Sequence, residues 1–218
     1  MSLQGPPPAP LWHWGDPVAP LQALLARGGI LAIPTESSYG LGADPRNPAG
    51  IEAIYRIKRR EAGKALPVVV SGREQLKDLG VDPNLYIVER LFELWPAPLT
   101  VVLPISRSLP ASAGESRLAV RVPDHERLRE LLAALGHGLT ATSANVSGGA
   151  PILDAAGAAE LLAGEDAAVV AGGVLPGGPP STLVAIEGTG LRVLRRGRFP
   201  AERLRERLAR LSTGETQQ

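Results

Sequence analysis

Two stretches of this chain run from an apolar strand directly into hydroxyl side chains and glycine. Leu139-Thr-Ala-Thr-Ser-Ala-Asn-Val-Ser-Gly-Gly149 brings Ser143, Asn145 and Ser147 together ahead of paired glycines, and Ile30–Ile33 leads likewise into Pro34-Thr-Glu-Ser-Ser-Tyr-Gly-Leu-Gly42. Small side chains let backbone N–H groups approach phosphate or carboxylate oxygens, while the hydroxyls and the carboxamide add donors. Two such loops point to one site for a polar, anionic ligand. Taken singly, each reads equally as a turn whose hydroxyls satisfy its own backbone. Ser181-Thr182, after Gly177-Gly-Pro-Pro180, is likewise a strand start or a ligand contact.

Cations lie between these loops. Lys58 and Arg60 close a helical stretch, pairing a mobile point charge with a planar fork, a combination suited to polyphosphate oxygens. The same charges would complement a helix C-terminus without any ligand. Arg121 sits within the apolar run Leu118-Ala-Val-Arg-Val-Pro123. A buried guanidinium is costly unless paired, so its partner is either an internal Asp or Glu or the anion of a ligand. Arg195 is a third candidate contact, or else an exposed arginine on an edge strand.

Several chemistries lack their parts. With no cysteine among 218 residues there is no thiol nucleophile, disulfide or cysteine-based metal site. No phosphate loop of the Walker type, dinucleotide fingerprint, His-Glu-x-x-His helix or Gly-x-Ser-x-Gly elbow is present, and His13, His125 and His137 are scattered. Catalysis by positioning and charge stabilisation remains, as nucleotidyl transfer requires. A net charge of +1 excludes a polycation that coats nucleic acid, so any RNA contact is local. Neither a secretory start nor a bilayer-length apolar run is found, and the expected location is cytoplasmic.

The elements that must position these groups alternate along the chain. A proline-rich arm (1–15) precedes a helix begun by Asp16-Pro17 and ended by Gly28-Gly29. Strands are expected at Ile30–Ile33, Leu66–Val70, Leu99–Ile105, Leu118–Val122, Leu139–Thr142, Ala167–Ala171, Thr182–Ile186 and Leu191–Leu194. Helices are expected at Ala49–Arg60, Arg73–Leu79, Leu85–Leu94, His125–Leu135, Ala155–Ala163 and Ala201–Leu211. Short connections between them predict one α/β domain over 16–211, built on a single twisted, mixed open sheet with flanking helices, then a frayed tail at 212–218. Gly172–Pro180 reads as a flap or turn beside the site.

Pro34–Gly42, Lys58-Arg-Arg60, Trp95-Pro-Ala-Pro-Leu-Thr100, Ala119–His125, Ser143-Ala-Asn-Val-Ser-Gly148, Ser181-Thr182 and Arg195-Arg-Gly197, in this order, resemble the YrdC/TsaC family in its short, single-domain form. The combination is specific where single blocks are not. The resemblance implies a YrdC-like α/β fold with a basic concave cavity. It implies synthesis of L-threonylcarbamoyladenylate and pyrophosphate from L-threonine, bicarbonate and ATP with Mg²⁺, and no organic cofactor. The product would supply the N6-threonylcarbamoyladenosine at position 37 of tRNAs reading ANN codons, placed there by a partner tRNA threonylcarbamoyl transferase complex.

On this resemblance Thr35, Tyr39, Arg121, Ala141 and Ser181 form the threonine pocket. Lys58, Arg60, Ser143, Asn145, Pro151 and Arg195 bind ATP, with Lys58 and Arg60 catalytic, and no protein side chain is assigned to metal. Three positions depart from the pattern. Glu61 replaces a common proline, Arg117 a small hydroxyl residue, and Val68–Val70 lacks a histidine carried by many relatives. A non-catalytic RNA-binding module of the same fold, with weak RNA binding in the cavity, is the competing reading; near-neutral charge and few aromatics count against it. A carbamoyl-transferring relative in hydrogenase maturation would need partner domains with zinc motifs, and this chain has no cysteine.

Overall fold

The computed structural model of the chain describes residues 5–61, 63–187, 190–200 and 202–206. Strand β1 (Leu11–Trp12) is followed by helix α1 (Ala19–Ala26), β2 (Ile30–Pro34), β3 (Tyr39–Gly42) and α2 (Pro48–Lys58). Then come β4 (Val68–Val69), α3 (Arg73–Asp78), α4 (Tyr86–Phe92), β5 (Leu99–Pro104) and β6 (Arg117–Arg121). The described elements close with α5 (Glu126–Leu135), β7 (Leu139–Thr140), β8 (Thr142–Ser143), α6 (Ala155–Leu161), β9 (Ala167–Val170), β10 (Thr182–Glu187) and β11 (Gly190–Arg195).

The mixed α/β architecture is the one expected, but the strands form two hydrogen-bonded sheets rather than one. Five strands lie in the order β1-β9-β2-β3-β8 and six in the order β11-β10-β5-β6-β4-β7. Both sheets mix parallel and antiparallel pairs. The division falls inside Leu139–Thr142, which the sequence presents as one strand. β7 pairs with β4, β8 pairs with β3, and the Ala141 N–H between them donates to Pro67 O. Nothing in that run of small and apolar residues marks the crossing.

Alternation explains the layering. Ile30 and Ala32 of β2, with Ala167 and Val169 of β9, face one core, while Leu31, Ile33, Ala168 and Val170 face a second. Strands buried on both faces need continuous apolar runs, which these segments have. The second core is completed by Leu21, Leu24 and Leu25 of α1 and by Leu128, Leu131, Leu132 and Leu135 of α5. These helical spacings make one apolar stripe per helix, each fully buried leucine contributing roughly 1.5–3 kcal/mol. His125 caps α5, its Nδ1 accepting from the Leu128 N–H, and Gly136 ends the helix at φ +83°.

Three local expectations differ, and a fourth falls partly outside the described residues. Helix α1 starts at Ala19, and Asp16 instead accepts from the His13 N–H, closing a turn ahead of it. The expected arm contributes β1, parallel to β9. Tyr39–Gly42, read as loop, is a buried strand whose glycines allow close crossing: a Cβ on Gly40 or Gly42 would lie 3.3 Å from Thr142 O or Thr140 O. Of the expected helix Ala201–Leu211, residues 202–206 are helical; positions 1–4, 207–211 and the 212–218 tail lie outside the described residues. Among the described residues no helix is long and apolar enough to cross a membrane.

Candidate functional site

The six-stranded sheet supplies the floor of a cleft. Leu99, Val101 and Leu103 of β5 and Leu118 and Val120 of β6 enter the core. The period of two therefore turns Thr100, Ala119 and Arg121 to the opposite face, and all three line an open cleft of about 430 Å³. Its facing wall comes from the five-stranded sheet: Thr35, Ser37, Ser38, Tyr39, Gly40, Thr142 and Ser143. Ala141 lines it at the joint between sheets, and Pro151, Ser181, Arg60 and Arg195 line it as well. Segments more than a hundred residues apart thus converge, and two designated residues, Lys58 and Asn145, are not among the lining.

Arg121 has an internal partner. Its Nη1 donates to Glu36 Oε2 at 2.6 Å, and each side chain is only 10% exposed. Glu36 Oε1 accepts from the Asp124 N–H at 2.7 Å. Burial works against the carboxylate, yet Arg121 and the backbone N–H groups of Glu36 and Asp124 outweigh it and hold its pKa below the ordinary glutamate value. Of the two partners left open by the sequence, an internal acid is therefore present. It engages one nitrogen of the fork; Nε and Nη2 of Arg121 have no hydrogen-bond partner among the described residues, while the side chain lines the cleft.

Lys58 stands behind the cleft wall, 3% exposed. Its ammonium donates to Ser143 O, to Asn145 O at 3.0 Å and to Asn145 Oδ1 at 2.9 Å. Ser143 Oγ also donates to Asn145 Oδ1, and Asn145 Nδ2 donates to Gly149 O. The amine pKa is lowered to about 8, by burial and then by Arg60. Arg59 ends α2 in the left-handed region at φ 48°, a conformation disfavoured for a side-chain-bearing residue. That turn leaves Lys58 on the buried face and brings Arg60 into the cleft.

The remaining polar groups are held in place by local bonds. Thr35 Oγ1 donates to Ser38 O, and Ser181 Oγ shares a 2.8 Å hydrogen bond with Thr100 Oγ1. Arg195 Nη2 donates to Ser181 O at 3.1 Å, and burial followed by repulsion from Arg121 lowers its pKa. Tyr39 is wholly buried; its hydroxyl accepts from the Gly172 N–H and donates to Gly173 O. The segment 171–181 forms a strap without regular structure, tied by Gly177 N–H to Ser37 O and lining the cleft through Gly178 and Pro180. Arg198 clamps it, donating from Nη1 to Glu36 O and from Nη2 to Gly177 O.

Glu61 pairs with Lys64 at 3.1 Å, and Arg117 is exposed at the start of β6; neither lines the cleft. Sequence reasoning missed Glu36, Arg198 and Thr100. The available signal for Glu36 was a carboxylate inside a loop otherwise made of hydroxyls, and for Thr100 the alternation of β5.

Residues 23–197 match the family model Sua5/YciO/YrdC, described as "Telomere recombination". A Thiobacillus denitrificans protein named threonylcarbamoyl-AMP synthase is 39% identical over 166 residues, 75% of this chain and 88% of that protein. One of the same name from Idiomarina loihiensis is 38% identical over 132 residues, 59% of this chain and 71% of its own length. Among solved structures, P. abyssi Sua5 complexed with L-threonine superposes with a TM-score of 0.80 at 28% identity, covering 91% of this chain. The present chain spans 60% of that solved chain.

Proposed function

The chain belongs to the Sua5/YciO/YrdC family, and on that premise we propose that it is an L-threonylcarbamoyladenylate synthase, joining L-threonine, bicarbonate and MgATP. The observation that carries this reading is the cleft itself, where hydroxyl loops and three arginines from distant segments face one another across about 430 Å³. That volume lies in the range of small-molecule sites, and its cations outnumber the one acid held beside them. The threonine-bound P. abyssi relative and the synthase names of the two bacterial relatives support the choice of substrates.

In this proposal the threonine carboxylate takes the open edge of Arg121, with Thr35, Tyr39, Ala141 and Ser181 enclosing the rest of the amino acid. The threonine amine combines with bicarbonate to give a carbamate and water. A carbamate oxygen attacks the α-phosphorus of ATP, forming threonylcarbamoyl-AMP as pyrophosphate leaves. Arg60 and Arg195 offset the developing negative charge, and Ser143 and Pro151 bound the nucleotide side. Mg²⁺ arrives with ATP, held by phosphate oxygens and water. Lys58 and Asn145 serve ATP by fixing the 143–149 loop from behind, since their polar atoms are already engaged there. The product is consumed by a tRNA threonylcarbamoyl transferase that modifies adenosine 37 of tRNAs reading ANN codons.

The test is incubation of purified protein with ATP, threonine and labelled bicarbonate. Pyrophosphate release that requires both threonine and bicarbonate supports the synthase; RNA binding without such turnover supports a binding module instead. Arg60→Ala is expected to raise the ATP requirement and Arg121→Ala the threonine requirement, each at least tenfold for a charge-assisted contact. Equal losses of thermal stability and activity would reduce both residues to a structural part.

A further inference from the structure

Among the described residues Glu36 is the one acid ion-paired with a cleft-lining cation, and it contacts three separate segments. Its Oε2 holds Arg121 of β6, its Oε1 the N–H of Asp124 before α5, and its backbone carbonyl accepts from Arg198. The Asp124 bond fixes the carboxylate independently of the arginine. A guanidinium gripped at Nη1 by a fixed acid cannot spin about its Cδ–Nε bond, so the plane of the fork is set before any ligand arrives. Nε and Nη2 remain, an edge matching the two oxygens of a carboxylate, on a side chain that is nine-tenths buried and lines the cleft.

We propose that Glu36 is a positioning residue for the α-carboxylate of the amino-acid substrate, acting through Arg121 and selecting ligands that carry that carboxylate. The inference rests on the synthase reading and deepens it. Glu36 touches no substrate; it orders the arginine that does. Because it also neutralises part of the arginine charge, it lowers the attraction for stray phosphate and leaves affinity to geometry, favouring a flat two-oxygen anion over a tetrahedral one.

Glu36→Gln keeps the shape and the Asp124 contact while removing the charge. In steady-state assays of the whole chain it is expected to raise the threonine KM about tenfold, with the ATP KM within about twofold of the unaltered protein. Inhibition by L-threoninol, which lacks the carboxylate, should be unchanged by the substitution. Glu36→Asp, which retains the charge, should recover part of the threonine affinity. A folded Glu36→Gln with an unaltered threonine KM, or with threonine, threoninol and ATP all weakened alike, overturns the proposal. If the glutamine variant does not fold, Glu36→Asp is read by the same split: a rise confined to threonine supports, a shared rise or none overturns. An unaltered chain that binds threonine by calorimetry but yields no adenylate removes the synthase reading while leaving the Glu36 effect on binding measurable; one that does neither removes both.

Discussion

Lys58 carries a cation into a cage of neutral oxygens. Three ammonium protons meet three acceptors on the 143–149 loop, whereas a neutral amine has only two to offer. With its pKa lowered to about 8, activity should decline through that pH as the loop loses a donor. The stability contribution of the same residue runs the other way. A folded value below the unfolded one means that the unfolded chain binds the proton more tightly, so stability rises between about pH 8 and the ordinary lysine value of 10.5. Parallel pH profiles of turnover and of thermal unfolding check this opposition, and Lys58→Met, which keeps the apolar stem, should flatten both.

At the scale of elements, the strap 171–181 is anchored by one buried side chain, Leu175, and otherwise by hydrogen bonds. Val174 is 82% exposed, and beyond Leu175 the strap is bonded from Gly177 N–H to Ser37 O and from Arg198 Nη2 to Gly177 O, while Arg198 Nη1 ties the same guanidinium to Glu36 O. Arg198→Ala is expected to cost about 1 kcal/mol of strap docking, which limited proteolysis reads as roughly fivefold faster cleavage within 172–180 with little change in global unfolding. Elements were legible wherever a run of one type was long enough: Ile30–Ile33, Leu99–Ile105 and the leucine stripe of α5 declare themselves. β3 did not, because Gly40 and Gly42 imitate a turn when they in fact admit β7 and β8 at close range. Single residues in the cleft were legible by type, as Arg121 in an apolar strand shows. Their partners were not, since Glu36 lies 85 positions away and the three acceptors of Lys58 are two backbone carbonyls and one side-chain carboxamide oxygen.

At the scale of the molecule, both walls of the cleft meet at one short crossing. Thr140 is fully buried in β7 of one sheet, yet its hydroxyl accepts from Ala43 N–H at 2.9 Å and donates to Leu41 O in β3 of the other. Thr140→Val preserves shape and removes the acceptor of the buried Ala43 N–H, so it should destabilise the chain by about 1–3 kcal/mol, measured by denaturant unfolding, while Thr140→Ser stays close to the parent. The variant should also weaken threonine and ATP together, since the crossing sets the spacing of both walls; loss of stability with both KM values intact would separate the joint from the site.

The same crossing has a consequence for the outside of the protein. β8 and β7 are the ends of the two sheets that meet at the joint, and the ends remote from it are β1 and β11. The first is two residues long and follows Pro6-Pro7-Pro8-Ala9-Pro10; on the second, Arg192 pairs with Glu187 and Arg195 lines the cleft. Proline cannot donate to an incoming ladder, so the β1 margin discourages strand addition between molecules. A fold that opens a cavity by splitting its sheet thereby keeps one remote border from templating a second copy, through the prolines that lead into it.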